Sequence, residues 1–124
     1  MSRPVQSHLD LLRTLVECQT PLADIASRLS AFSWDSPPLL VLRREHVVAV
    51  LRRYLAGELR AEDVHEWADL VEVRDDIGLE LGHEVALRNA LFALATPEVE
   101  GQLDSTEARK LIQLLEPPDL GGPA

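Results

Sequence analysis

Apolar residues recur every three or four positions along most of this chain, in stretches that end at proline or glycine. That spacing is the helical period, and strict two-residue alternation is scarce. Val5, Leu9, Leu12 and Val16 form the first stripe, widened by Leu15, with Ser7 placed to cap it ahead of Asp10. Thr20-Pro21 starts a second helix, since proline at the first helical position loses no needed hydrogen bond. Its face is Leu22, Ile25, Ala26 and Leu29, ending near Ala31.

Phe32-Ser33-Trp34-Asp35-Ser36-Pro37-Pro38 interrupts the pattern with turn formers and consecutive prolines. Leu39 to Leu42 reads either as a short extended piece or as the lead-in to a helix. From about Arg43 a third helix puts Val47, Val50, Leu51 and Tyr54 inward and Arg44, Arg52 and Arg53 outward, with Gly57 beyond its C-terminus. A fourth, over about Ala61–Val73, buries Val64, Trp67, Ala68 and Val71. Arg74-Asp75-Asp76 leads from it into a loop through Gly78 and Gly82.

A fifth helix, over about His83–Ala95, has Leu87, Ala90, Leu91 and Leu94 on one side and Val85 and Phe92 on the other. Two apolar faces predict a central position. Thr96-Pro97 stops it, and Asp104-Ser-Thr-Glu107 reads as a capping box for a last helix with stripe Ala108, Leu111, Ile112 and Leu115. The expectation is an all-α fold: one bundle of five to six helices over residues 1–116, with a flexible tail over 117–124. A length of 124 residues leaves no room for a second core of useful size.

Charge is distributed much less evenly than apolarity. The chain carries a net −9. Residues 1–57 hold five acids and seven bases, residues 58–84 ten acids and two bases, and residues 85–124 six acids and three bases. Such a balance works against unassisted binding to nucleic acid or an anionic membrane surface, both of which select basic proteins. No apolar run is long enough to span a bilayer, and the N-terminus lacks the apolar core of a secretory signal. With Cys18 as the only cysteine, no disulfide framework is possible, and a reduced, cytoplasmic, bacterial setting is the simplest expectation.

Candidate chemistry is sparse. His8, His46, His65 and His83 have no second histidine three or four residues away, so a two-histidine metal face is missing. His65 with Asp69, and His83 with Glu84, read as solvated pairs. Asp75-Asp76 with Glu80 lacks the alternating ligands and central glycine of a calcium loop. Cys18 reads as mid-helix packing, and no nucleophile elbow or phosphate-cradling glycine loop occurs. An enzyme would require a pocket joining His46 or His65 to the Asp75-Asp76 turn. The expectation is a chain with no enzymatic activity, cofactor or metal. The Arg43-Arg44 and Arg52-Arg53 pairs read as partners for Glu45, Glu58 and the acidic helix.

That acidic helix is the strongest feature. Glu62, Glu66, Asp69 and Glu72, spaced four, three and three, share one face, and the carboxylates continue through Asp75 and Asp76 to Glu80 and Glu84. Retained self-repulsion of this density suggests a field used to attract a basic partner, although charge runs are commonly just solvated faces. Trp67 lies on the buried stripe, while Trp34 either plugs the bundle or anchors a partner.

Val50-Leu51-Arg-Arg-Tyr54-Leu55-Ala-Gly57-Glu58-Leu59, then Ala-Glu-Asp-Val64-His-Glu-Trp67-Ala68, then Glu72-Val-Arg74-Asp75-Asp76-Ile77-Gly78 resemble a family of small uncharacterised bacterial helical proteins. The resemblance covers residues 42–115 and includes Ala95-Thr96-Pro97-Glu98, Gly101 and the Asp104 cap. Arg60 departs from it, standing where a Ser or Thr would begin the acidic helix. The Tyr54-Leu55-Ala-Gly57 helix followed by an acidic amphipathic helix is also similar to colicin D-type immunity proteins, acidic bundles that block a basic nuclease toxin. This similarity implies that Glu62, Glu66, Asp69, Glu72, Asp75 and Asp76 are the partner-facing carboxylates, standing in for phosphates. The alternative is a structural or regulatory helical module without a toxin partner, making salt-insensitive contacts through Trp34 or an apolar groove, or self-associating as a homodimer.

Overall fold

The apolar stripes fold as helices that turn most of their described residues inward. The computed structural model describes residues 4–19, 21–30, 32, 37–97 and 101–116, with residues 4–7 described as backbone alone. Its helices are α1 (Pro4–Val16), α2 (Leu22–Leu29), α3 (Arg44–Leu55), α4 (Ala61–Glu72), α5 (Glu84–Ala95) and α6 (Ser105–Leu115). Among the described residues no helix is long and apolar enough to cross a membrane. The tail 117–124, Thr20 and Trp34 lie outside the described residues.

The helix starts follow local chemistry. Asp104 accepts a hydrogen bond from the Glu107 N–H at 2.8 Å, the cap expected for α6. At α4 the non-capping Arg60 is compensated from the other end of the turn. Asp63, the third helical residue, accepts from the Arg60 N–H at 2.9 Å, which is half of a capping box. His46 does the same for α3, its Nδ1 accepting from the Arg43 N–H at 2.8 Å. Ser7 does not cap α1, because the helix already begins at Pro4. Pro21 is the residue before α2 and not its first helical residue. Gly57, at φ +83°, ends α3 in the left-handed region that favours glycine.

The all-α expectation is corrected by a parallel pair of strands, β1 (Leu40–Leu42) and β2 (Ile77–Leu79), paired Leu40 to Ile77, Val41 to Gly78 and Leu42 to Leu79. The fold is mostly helical, with a small sheet. The Leu39–Leu42 run takes its extended alternative, and the supposed loop through Gly78 is the second strand. Leu39 N–H donates to the Asp76 carbonyl at 2.8 Å and Glu80 N–H to the Leu42 carbonyl at 2.9 Å, so the ladder runs past both strand ends. A Cβ at Gly78 would lie 3.4 Å from the Pro38 side chain, an ordinary van der Waals contact.

The stripes of α2 to α6 meet in one core with Leu12, Leu15 and Val16 of α1. Trp67 is its largest fully buried side chain, and its indole N–H donates to the Leu15 carbonyl at 2.7 Å. The bond satisfies a buried donor and ties α4 to α1. Tyr54 is half-buried and donates to the Leu103 carbonyl at 3.2 Å.

Two further expectations are corrected. α5 is not central: Val85 is 69% and Phe92 44% exposed, so only its Leu87–Leu94 face is buried. Cys18 lies beyond α1, not within a helix, at φ +55°. Its side chain is fully buried, and burial pushes the thiol up to about 11, so it is a packing group. Arg53 pins this strained turn by donating to the Glu17 and Cys18 carbonyls at 2.9 and 3.1 Å.

Candidate functional site: the acidic surface of α4

α4 and α5 form the most extensively packed helix pair and run antiparallel. The His65 Nδ1–H donates to the Leu94 carbonyl at 3.2 Å at one end, and Val71 and Glu72 share a cleft with Glu84, Arg88 and Leu91 at the other. Burying Val64, Trp67, Ala68 and Val71 turns the opposite face of α4 to solvent, and with it Glu62, Glu66, Asp69 and Glu72. These four span ten residues of helix, roughly 15 Å along its axis. Asp75, in the turn that follows, is exposed as well.

Asp76 does not belong to this surface. Its side chain is fully buried, accepting from Arg74 Nε at 2.9 Å and Nη2 at 2.8 Å and from His8 Nε2 at 3.0 Å. The assignment of Asp76 to a partner is corrected for a physical reason: an ionised carboxylate at zero exposure is held by paired donors, and both are already supplied from within the chain. Burial alone would raise its pKa, but the bonds from Arg74 and His8 outweigh burial and hold it below the ordinary carboxylate value. The His8 ring also stacks on Phe32, centroids 4.4 Å apart, so the cluster joins α1, residue 32 and the entry to β2.

Glu80 is likewise committed to structure. It accepts from the Arg44 N–H at 2.9 Å and from the Arg44 guanidinium at 3.2 and 3.4 Å, which places a carboxylate on the positive end of α3. Those hydrogen bonds hold its pKa down to about 2. Glu84 accepts from the Gly82 N–H at 3.0 Å, and Glu58 pairs with Arg53 at 3.4 Å. The arginines therefore serve mainly as staples between elements: Arg52 pairs with Glu116 and Arg44 with Glu80, not with the α4 face.

On the exposed side the situation reverses. Arg60 lies 3.9 Å from Glu62 and 3.7 Å from Asp63, both at the start of α4. Glu66, Asp69, Glu72 and Asp75 have no hydrogen-bond or ion-pair partner among the described residues. Neighbouring like charges at these spacings disfavour the helix by about 0.2–0.5 kcal/mol per pair. Carboxylates near a helix C-terminus also oppose its macrodipole, and the last turn of α4 carries no basic residue to offset them. Glu72 and Asp75 border the cleft of ≈ 420 Å³ at that end, with Glu84 and Arg88 across it.

His46 and His65 bond away from this turn. His46 bonds to Arg43 and His65 to Leu94, while His8, which sequence spacing could not connect to residue 76, reaches Asp76. Among the described residues no group of three or more His, Cys, Asp or Glu side chains could hold a metal ion. Comparison with family models, with curated proteins and with solved structures finds no match.

Proposed function

We propose that this chain is a protein-binding module of the immunity or inhibitor type, acting in the cytoplasm without chemistry of its own. On this reading Glu62, Glu66, Asp69, Glu72 and Asp75 engage a basic partner such as a nuclease toxin. One observation carries the reading: α4 presents a row of exposed carboxylates continued by Asp75, of which Glu66, Asp69, Glu72 and Asp75 have no ion-pair partner among the described residues, and Asp69 and Glu72 lie toward the helix end where negative charge is disfavoured. The reading takes its direction from the sequence resemblance of the Tyr54-Leu55-Ala-Gly57 helix and the acidic helix after it to colicin D-type immunity proteins, and no matched family stands behind it. The carboxylates replace phosphates opposite catalytic Arg and Lys of the partner, which raises association rate and makes affinity dependent on salt.

The test pairs the purified chain with the product of a toxin-like reading frame beside its gene. Affinity and residual nuclease activity are measured across a salt series for wild type and for Glu66→Gln/Asp69→Asn/Glu72→Gln. The expected result is tight, salt-sensitive inhibition that the triple change weakens by roughly tenfold or more. Affinity left untouched by the triple change would remove the acidic face from the account.

A further inference from the structure

The α4–α5 layer carries a second feature that the acidic face does not use. Among the described residues seven large apolar side chains are exposed, and four of them, Val73, Leu81, Val85 and Phe92, fall between residues 73 and 92. Leu81 is 88% exposed, Val85 69% and Phe92 44%. Val85 and Phe92, seven residues apart, lie on the face of α5 turned away from Leu87, Ala90, Leu91 and Leu94, and Leu81 lies in the turn that precedes this helix. Along the helix the stripe from Val85 to Phe92 is roughly 10 Å long at the helical rise. It borders the C-terminal end of the α4 row, since Arg88, three residues after Val85 and four before Phe92 on the helix surface, shares a cleft with Glu72 and Asp75.

We infer that Leu81, Val85 and Phe92 extend the acidic surface into one docking site for a basic amphipathic helix, whose apolar side covers the stripe while its Lys and Arg meet Glu66, Asp69 and Glu72. This rests on the acidic-face reading above and specifies the form of the partner. Charge complementarity selects the occupant. The adjoining α4 face exposes Glu66, Asp69 and Glu72, so a second copy laid on this layer would oppose like charges next to the apolar contact. A basic amphipathic helix satisfies both the field and the stripe. Covering such side chains contributes affinity in proportion to the apolar area removed from water, and that contribution is insensitive to salt screening.

The experiment uses the full chain and two fluorescein-labelled peptides: leucine and lysine arranged in a helical repeat, and the same composition shuffled. Wild type is expected to prefer the amphipathic peptide by about tenfold. Val85→Ser/Phe92→Ser is expected to abolish that preference while leaving the shuffled peptide's affinity and salt dependence unchanged. Leu81→Ser/Val85→Ser changes only strongly exposed side chains and should reduce the preference in the same sense. If both double variants keep the wild-type preference, the stripe is not part of the site and the inference is overturned. The acidic-face reading survives that result if Glu66→Gln/Asp69→Asn/Glu72→Gln still weakens both peptides, and falls with the inference if it does not. A sedimentation dimer lost in Val85→Ser/Phe92→Ser would assign the stripe to a second copy and overturn the proposal.

Discussion

The acids of residues 58–84 divide between two regions of opposite physical character. Around β2, Asp76 and Glu80 are enclosed by Arg74, His8 and Arg44, and both have depressed pKa values. Along the outer face of α4, Glu66, Asp69 and Glu72 stand in solvent with no hydrogen-bond or ion-pair partner among the described residues. The first group ties distant segments together and cannot be removed without leaving a half-buried guanidinium, of Arg74 or Arg44, unpaired. The second contributes nothing visible to the fold and opposes the helix that carries it. Acid count alone conceals this division. What a carboxylate does is decided by whether the fold brings a donor to it.

The largest consequence falls on Asp76. Asp76→Asn leaves Arg74 buried without a negative partner and should cost about 3 kcal/mol, read as a lower urea midpoint. Asp76→Asn paired with Arg74→Met, which removes the stranded charge as well, should recover part of that loss. If Asp76→Asn is no less stable than wild type, the enclosed group is not structural and the contrast between the two regions disappears.

Acid titration sharpens the same contrast. Asp76 and Glu80 have folded pKa values below their unfolded ones, so their stabilisation is complete above the ordinary carboxylate range and is lost as pH falls. For Glu80 that window runs from 4.5 to about 2. Wild type should therefore lose stability steeply over this interval, and Glu80→Gln should flatten the profile. A parallel profile for Glu80→Gln would show that the Arg44 contact is not made in solution.

A smaller effect belongs to His46. Burial lowers its pKa, and its Nδ1 must be unprotonated to accept from Arg43. With the folded value below 6.5, this contribution is present above that pH and lost as pH falls. His46→Gln, which can accept at any pH, should match wild type at pH 7.5 and exceed it by about 0.5 kcal/mol at pH 5.

These contrasts also mark what could be read from sequence. The helices and their buried stripes were legible because a 3.6-residue period is local, and so was the Asp104 cap, whose two groups are three residues apart. The strands were not, since three-residue pieces carry no period, and Leu39–Leu42 becomes β1 only by pairing with residues 77–79. The outward direction of Glu62, Glu66, Asp69 and Glu72 followed from the same period as Trp67. The place of Asp76 is not legible in the sequence because it depends on His8, 68 positions away, and on the turn at Asp75-Asp76 that brings Arg74 to it. Val85 and Phe92 were read as buried because two apolar faces on a helix describe a central element and an exposed docking stripe equally well.

The central claim is that the outer carboxylates of α4 are carried for recognition and not for folding. Its most direct test is the urea midpoint, at low salt, of a chain with Glu66→Gln, Asp69→Asn and Glu72→Gln together. The account predicts a midpoint equal to wild type or higher by a few tenths of a kcal/mol, as self-repulsion and the opposed macrodipole are relieved. A fall comparable to that of Asp76→Asn would contradict it, because the outer acids would then be part of what holds the fold together.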